Sequence, residues 1–330
     1  MNKRSILNVA VVGLVICGAF LLAPALGNEY WVSVLIVVLI NILLASSLRL
    51  IFLLDQISLG HVGFSLLGAY SSALFMLRLN MPFWSALLAA GLFSAGVALL
   101  LGYPFLKLKG IYFSILTLMT AEIFRLVTYN WRSLTGGQFG LPDVPAPGPL
   151  IVPGLGVVAF DDTQNYYFLT LAVVIVSLVI MYCLERSHVH MKWKAIRDAD
   201  NLAASVGVNV IGYRIVNFTI ASFFAGIAGA LFAHYQRGLS VDATSRFGAM
   251  MSLFLVVYMV VGGKNHFWGP IIGTIILELF SEIARPLSEY RSMLIGALAI
   301  LTVLSLPEGL VGIGRLLTRK KVSVVEHTGT

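Results

Sequence analysis

Runs of about 20 mostly apolar residues recur along this 330-residue chain, and they restrict its fold more than any motif does. A run of that length is what an α-helix needs to cross the roughly 30 Å hydrocarbon core of a bilayer. In lipid every backbone amide and carbonyl must be satisfied internally, so only helices and closed barrels span. A barrel would show alternating segments of about 10 residues; these runs are continuous. Charged residues make up 11% of the chain and hydrophobic residues 58%, with a mean hydropathy of +0.92. Soluble domains carry roughly 25% charged residues. The fold class is therefore an all-α polytopic membrane protein, with one transmembrane domain over residues 1–330.

The runs lie near 6–26, 31–54, 55–79, 82–106, 111–128, 166–184, 213–235, 248–261, 267–283 and 291–306, which predicts about ten transmembrane helices. An even number puts both termini on one side. Lys3, Arg4, Lys107, Lys109, Arg186, Lys192, Lys194, Arg197, Arg214, Lys264 and the basic tail 307–330 all fall on that side. Arg78, Arg132, Arg237, Arg246, Arg285 and Arg291 fall near the other. Basic residues favour cytoplasmic loops, so both termini are predicted to be cytoplasmic. The net charge of +7 reflects this bias and gives no reason to invoke nucleic acid. Ala23-Pro24-Ala25 resembles a signal-peptide cleavage site, but the apolar core before it is long for that role, and a retained helix is expected. Arg49, near the inner end of its run, is expected to snorkel.

Two polar segments interrupt the apolar pattern. Residues 185–212, ERSHVHMKWKAIRDADNLAASVGVNVIG, form the longest charged segment within the membrane part, and on this topology they are cytoplasmic. They read as the place where a soluble partner grips the membrane domain. Asp198 and Asp200 precede LAAS, where acidic residues suit the first turn of a helix. Ala203, Ala204 and Gly207 leave a small, smooth face that a groove could receive. Residues 129–165, rich in Gly and Pro, form the long loop on the outer side; their apolar piece 150–160 is too short to span.

Glycines mark further positions. Gly60, Gly63 and Gly68 lie in SLGHVGFSLLGAY, and NHFWGPIIGTIILEL weakly echoes it. Both place Gly-interrupted sequence at the start of a helix, as transporters do near a substrate path. Ala221, Ala225 and Gly229, four apart, predict a helix-packing face. Glu122 and Arg125, three apart, predict an ion pair on one helix face.

Motifs for catalysis are missing. There is no P-loop, no HExxH and no GxSxG with a triad. His188 and His190 have no matching carboxylate or thiolate cluster, and Cys17 and Cys183 lie in apolar runs. His61 sits in a glycine turn, where a capping or interfacial role is expected. No row of intramembrane acids suggests a proton relay. Uphill transport would draw its energy from a separate ATPase.

Several stretches, in one order over most of the chain, resemble a known family: SLGHVGFSLLGAY (58–70), LKGIYFSILTL (108–118), LTGGQFGL (134–141), AIRDADNLAASVGVNV (195–210), YRIVNFTIASFFAGIAGAL (213–231), VVGGKNHFWGPIIGT (260–274) and LPEGLVGI (306–313). Together they are similar to LivM-type permeases of branched-chain amino-acid ABC importers. The resemblance implies a type II ABC importer-like permease in the bacterial inner membrane. It implies a second homologous permease (LivH-like), two ATP-binding subunits and a periplasmic substrate-binding protein as partners, with lipid around the chain. No cofactor is expected on this chain, since ATP and Mg would sit on the ATPase subunits. In the family, the loop matching 195–210 forms a coupling helix, which here implicates Ala195, Arg197, Asp198, Ala199, Asp200, Asn201, Ala203, Ala204, Ser205 and Gly207. The candidate translocation path takes Gly60, Gly63, Ser65, Tyr112, Thr117, Gly269 and Pro270. Urea, short amides or another small polar solute is the alternative cargo. A stand-alone secondary transporter needs an ion-coupling site, and a membrane enzyme needs a catalytic cluster; neither is evident in the sequence.

Overall fold

The computed structural model, which describes residues 28–152, 156–160, 162–241, 246–287, 290–305 and 309–312, is helical wherever the sequence stays apolar long enough. The expected first span, 6–26, and the tail beyond 312 lie outside the described residues. Apart from a single turn at Arg132–Thr135, the α-helices among the described residues are α1 (Glu29–Phe52), α2 (His61–Leu79), α3 (Phe83–Phe105), α4 (Ile111–Asn130), α5 (Thr163–Arg186), α6 (His188–Asp198), α7 (Asp200–Ser205), α8 (Val210–Gln236), α9 (Ala249–Gly262), α10 (Gly269–Ile283) and α11 (Arg291–Ser305).

Helix α1 is the centre of the bundle. Asn28 caps it, its side chain accepting from the Tyr30 amide at 3.0 Å, and Glu29 complements the positive end of the helix dipole. Every residue from Asn41 to Phe52 is buried, as expected for a helix apolar on all sides. Helix α8 lies against α1, α2 and α3; α9 and α10 form a second pair on α1, and α5 packs on a further side. Helix α4 sits outside α2 and is the least covered of the long helices.

Small residues set the closest approach. A Cβ on Gly229 would lie 1.8 Å from the Ser65 carbonyl oxygen, and one on Gly68 would lie 2.2 Å from that of Gly226. The Ala221–Ala225–Gly229 face is therefore the seam between α8 and α2, all three residues being buried. Without a hydrophobic force between helices in lipid, such close contact supplies the association energy.

Among the described residues six helices, α1 to α5 and α8, are long and apolar enough to cross a membrane. Helices α9, α10 and α11 have 14, 15 and 15 residues, so each rises only about 21–23 Å. By length alone they fall short of the roughly 30 Å core. Within 150–160, predicted too short to span, two three-residue strands, β1 (Leu150–Val152) and β2 (Gly156–Val158), pair antiparallel with Leu150 opposite Val158.

The two Gly-interrupted stretches both enter a helix from non-helical backbone. Between α1 and α2 the chain at 55–60 is non-helical, with a turn at Asp55 (φ +57°) and with Gln56 and Ser58 buried. Its backbone groups are met by hydroxyls of α4: Thr117 Oγ1 accepts from the Leu59 amide at 3.1 Å, and Ser114 Oγ donates to the Ile57 carbonyl at 2.7 Å. This is how irregular backbone is tolerated at membrane depth. Residues 263–268 lead into α10, which opens with Gly269-Pro270.

Candidate functional site

The charged stretch folds as two short helices. Helix α6 is amphipathic: Trp193 and Ile196 are buried, while Lys192, Lys194 and Arg197 face outward. It ends at Ala199, whose φ of −159° and ψ of 88° break the helix before α7 begins at Asp200. Helix α7 closes on Gly207, whose φ is +85°. The Val208 amide donates to the Ala203 carbonyl at 3.0 Å and the Gly207 amide to that of Ala204 at 3.0 Å. This double bond pattern is a Schellman cap, and it requires a left-handed residue at Gly207. Asn209 then caps α8, accepting from the Gly212 amide at 3.0 Å.

Of the predicted coupling residues, Ala195, Arg197, Asp198, Ala199, Asn201, Ala204, Ser205 and Gly207 are exposed; Asp200 is half-buried and Ala203 is buried. The sequence reading missed Leu202 and Val206. They are 67% and 75% exposed and give the tip of α7 an apolar character that Ala203 and Ala204 alone do not. Their signal was an apolar pair four apart in an otherwise polar segment.

Ion pairs hold this unit on the bundle. Asp200 bonds Lys109, from the turn before α4, and lies 3.4 Å from Arg214 of α8. The Lys109 ammonium holds the Asp200 carboxyl below its usual range, and Arg214 adds to the effect. Burial holds His190 below its usual range, against the opposing pull of Glu185. Arg197 reaches Asn265 at 3.3 Å and lies over the Phe52 ring. Arg49 does not snorkel to water as expected. It is 4% exposed, paired with Glu185 at the end of α5, and donates to the Lys264 carbonyl at 3.2 Å. The partner carboxylate and carbonyl, both distant in sequence, explain why it can stay buried. One cluster thus joins the ends of α1 and α5 to the α9–α10 turn.

Six of the seven candidate path residues are buried; only Tyr112 is exposed. A Cβ on Gly60 would lie 2.0 Å from the Thr117 carbonyl oxygen, and one on Gly63 would lie 2.8 Å from Ala121 Cα, so these positions make the α2–α4 contact. Ser65 faces Gly229, and Gly269 abuts Gly262 and Gly263. His61 is buried, 2.7 Å from Ser47 Oγ of α1, an interhelical link and not a cap. Glu122 and Arg125 pair as the spacing predicts, and Arg125 also donates to the Val241 carbonyl at 3.3 Å. Cys183 is exposed and unpaired, while Cys17 lies outside the described residues. No group of three or more metal-ligating side chains occurs among the described residues.

A multi-helix membrane domain with glycine seams and an anchored, exposed helix pair at one end defines a polytopic membrane transport subunit. Residues 30–303 match the family described as branched-chain amino acid transport system / permease component, and the chain belongs to that family. It is 30% identical over 310 residues to the high-affinity branched-chain amino acid transport system permease protein LivM of Salmonella typhimurium, spanning 88% of this chain and 72% of that protein. The LivM of Escherichia coli matches to the same extent. A nucleoside ABC transporter permease protein, NupC of Lactococcus lactis, is 23% identical over 240 residues, spanning 69% of this chain and 73% of its own. No solved structure matches.

Proposed function

We propose that this chain is the membrane subunit of an ATP-driven importer of leucine, isoleucine and valine in the bacterial inner membrane. The observation that carries the reading is the family match over residues 30–303 on a fold whose α6–α7 unit is exposed and is tied to the bundle through Asp200, Lys109 and Arg214. In this reading ten helices enter the membrane and both termini are cytoplasmic, as the loop charges favour. A second homologous permease packs beside the chain. Two ATP-binding subunits, which carry the ATP and Mg, sit on the cytoplasmic face, and the α6–α7 unit docks in a cleft of one of them. A soluble binding protein delivers cargo to the outer loops, including 129–165.

Closure of the ATPase pair would push on α6. The Arg49–Glu185 cluster passes that displacement to α1, α5 and the α9–α10 turn, and the bundles rock to alternate access. Glycine seams suit such motion, since close backbone contacts slide without long side chains to disengage. The path is completed against the second permease, which places Tyr112 and the exposed face of α4 towards it.

The test is ATP-driven uptake of labelled leucine by the reconstituted importer. Arg197→Glu with Gly207→Trp should abolish uptake while the subunits are still made, and unchanged uptake would refute the docking role. Similarity to a nucleoside permease supports a second reading, the same machine with another small polar cargo. Co-purification of the binding protein and its titration with leucine, valine, urea and a nucleoside decides between them.

A further inference from the structure

At the end of the protein opposite α6 and α7 lies a cavity of about 330 Å³, near the lower limit of small-molecule sites. It forms between residues 139–142 of the long loop, residues 232–240 at the end of α8 and beyond, and Arg246–Phe247, and backbone bonds hold the first two together. Leu141 and Leu239 exchange backbone bonds of 2.9 Å, and the Val144 amide donates to the Arg237 carbonyl at 3.0 Å. Gly140 has φ +71° and stands where a Cβ would lie 1.7 Å from the Leu239 oxygen, so no other residue permits this approach. His234 of α8 fastens the loop further, 2.8 Å from the Pro145 carbonyl and 2.6 Å from Ser72 Oγ of α2.

The walls are apolar at Phe232, Leu239 and Phe247, and polar at Gln236 and Ser240. Among the described residues one charged group lines them: the guanidinium of Arg246, 5.4 Å from the Phe232 ring centroid. Arg246 also reaches into the bundle, 3.4 Å from Asn41 Oδ1. Asn41 is 1% exposed in the middle of α1 and bonds Glu278 of α10, to which Tyr258 of α9 donates at 2.9 Å. A polar chain through three helices at membrane depth is costly to build and is characteristic of solute pathways.

We propose that this cavity is a cargo-binding subsite of the permease, taking a zwitterionic amino acid with an aliphatic side chain. The cargo carboxylate sits on Arg246, since a guanidinium fork matches a carboxylate in two parallel bonds. The aliphatic side chain lies against Phe232, Leu239 and Phe247. Gln236 and Ser240 supply neutral acceptors for the ammonium. Cargo on Arg246 competes with Asn41 for the guanidinium, and so links occupancy to the contact among α1, α9 and α10. The inference rests on the importer reading and adds a second point of selection, after the binding protein, for solutes bearing a carboxylate.

The experiment uses the assembled importer in lipid nanodiscs without binding protein, and measures retention of tritiated leucine against unlabelled leucine and leucinamide, which lacks the carboxylate. Wild type should prefer leucine to leucinamide by about 10-fold or more, the worth of a charge-assisted bond. Arg246→Gln should weaken leucine by about 10- to 100-fold and leave leucinamide unchanged, and Arg246→Lys should restore part of the preference. Equal retention of leucine by wild type and Arg246→Gln overturns the proposal, as does parallel loss of leucine and leucinamide. If Arg246→Gln instead prevents co-purification of the binding protein, the cavity receives protein and the proposal falls. Failure of the wild-type importer, with binding protein and ATP, to take up any branched-chain amino acid would sink the importer reading itself, a separate outcome.

Discussion

Replacing Gly229 by alanine tests the seam on which the bundle is built. The new methyl carbon would lie 1.8 Å from the Ser65 carbonyl oxygen, where real contacts essentially never fall below 3.0 Å. The oxygen belongs to the backbone of α2 and the methyl carbon is fixed rigidly to that of α8, so the two helices must part by at least about 1.2 Å. A gap of about 0.5–1 Å already forfeits a quarter to a half of each dispersion contact along a seam. Overpacking of this kind costs about 1–3 kcal/mol, and with rigid backbone on both sides the expected loss is near 3 kcal/mol. The gain in helix propensity from glycine to alanine, at most about 1 kcal/mol, offsets only part of it. At about 2–4 °C per kcal/mol, Tm should fall by roughly 4–12 °C. The control is Gly96→Ala on α3, where an added Cβ meets nothing within 4 Å, and it should leave Tm unchanged or slightly raised. The assay is thermal unfolding of the purified protein in detergent, followed by tryptophan fluorescence. If Gly229→Ala is as stable as Gly96→Ala, the helices do not approach as closely as described.

Glu185→Gln should lower stability by about 3–5 kcal/mol by leaving Arg49 buried without its anion, and adding Arg49→Met should recover much of the loss in a double-mutant thermal series. Asp200 has its pKa lowered by Lys109, so the contribution of its carboxylate is present above the unfolded value and lost as pH falls through the folded value. Amide exchange over residues 200–207, corrected for intrinsic rates, should therefore speed up in that acid range, and Asp200→Asn should remove the pH dependence. Leu202→Asp, at a position 67% exposed, should change stability by no more than about 0.5 kcal/mol yet cut ATP-driven uptake severely, as flux and melting measured side by side would reveal.

Apolar run length carries much of the fold. Nine of the ten predicted runs are helices among the described residues, and α4 begins at Ile111 as read from the Lys107–Gly110 turn before it. The small-residue spacing at Ala221, Ala225 and Gly229 likewise pointed to the correct face, because glycine has little other use in the middle of a membrane helix. Run length did not separate full crossings from the short α9, α10 and α11, since a hydropathy window cannot see where a helix stops. The anchoring pairs escaped too. Arg49 meets Glu185 across 136 residues, and Lys109 meets Asp200 across 91, with no local spacing to signal either. The break at Ala199 lies next to that second pairing, and it too has no signal in the local sequence. The Arg246–Asn41–Glu278 chain is equally non-local, each residue alone reading as an isolated polar group.

The non-helical segment at 55–60 bears on how the protein is made. Its carbonyl at Ile57 and amide at Leu59 are satisfied by Ser114 and Thr117, which follow 57 and 58 residues later. At about 5–20 residues per second, a ribosome needs roughly 3–12 s to supply them. During that interval α2 cannot settle in hydrocarbon with its entrance unpaired, because each bare backbone group there costs several kcal/mol. The segment must wait in the translocon or at the headgroups, and α2 and α4 then partition into lipid together. Substitutions at Ser114 or Thr117 would accordingly show first as low yield during membrane insertion, before any transport rate is measured.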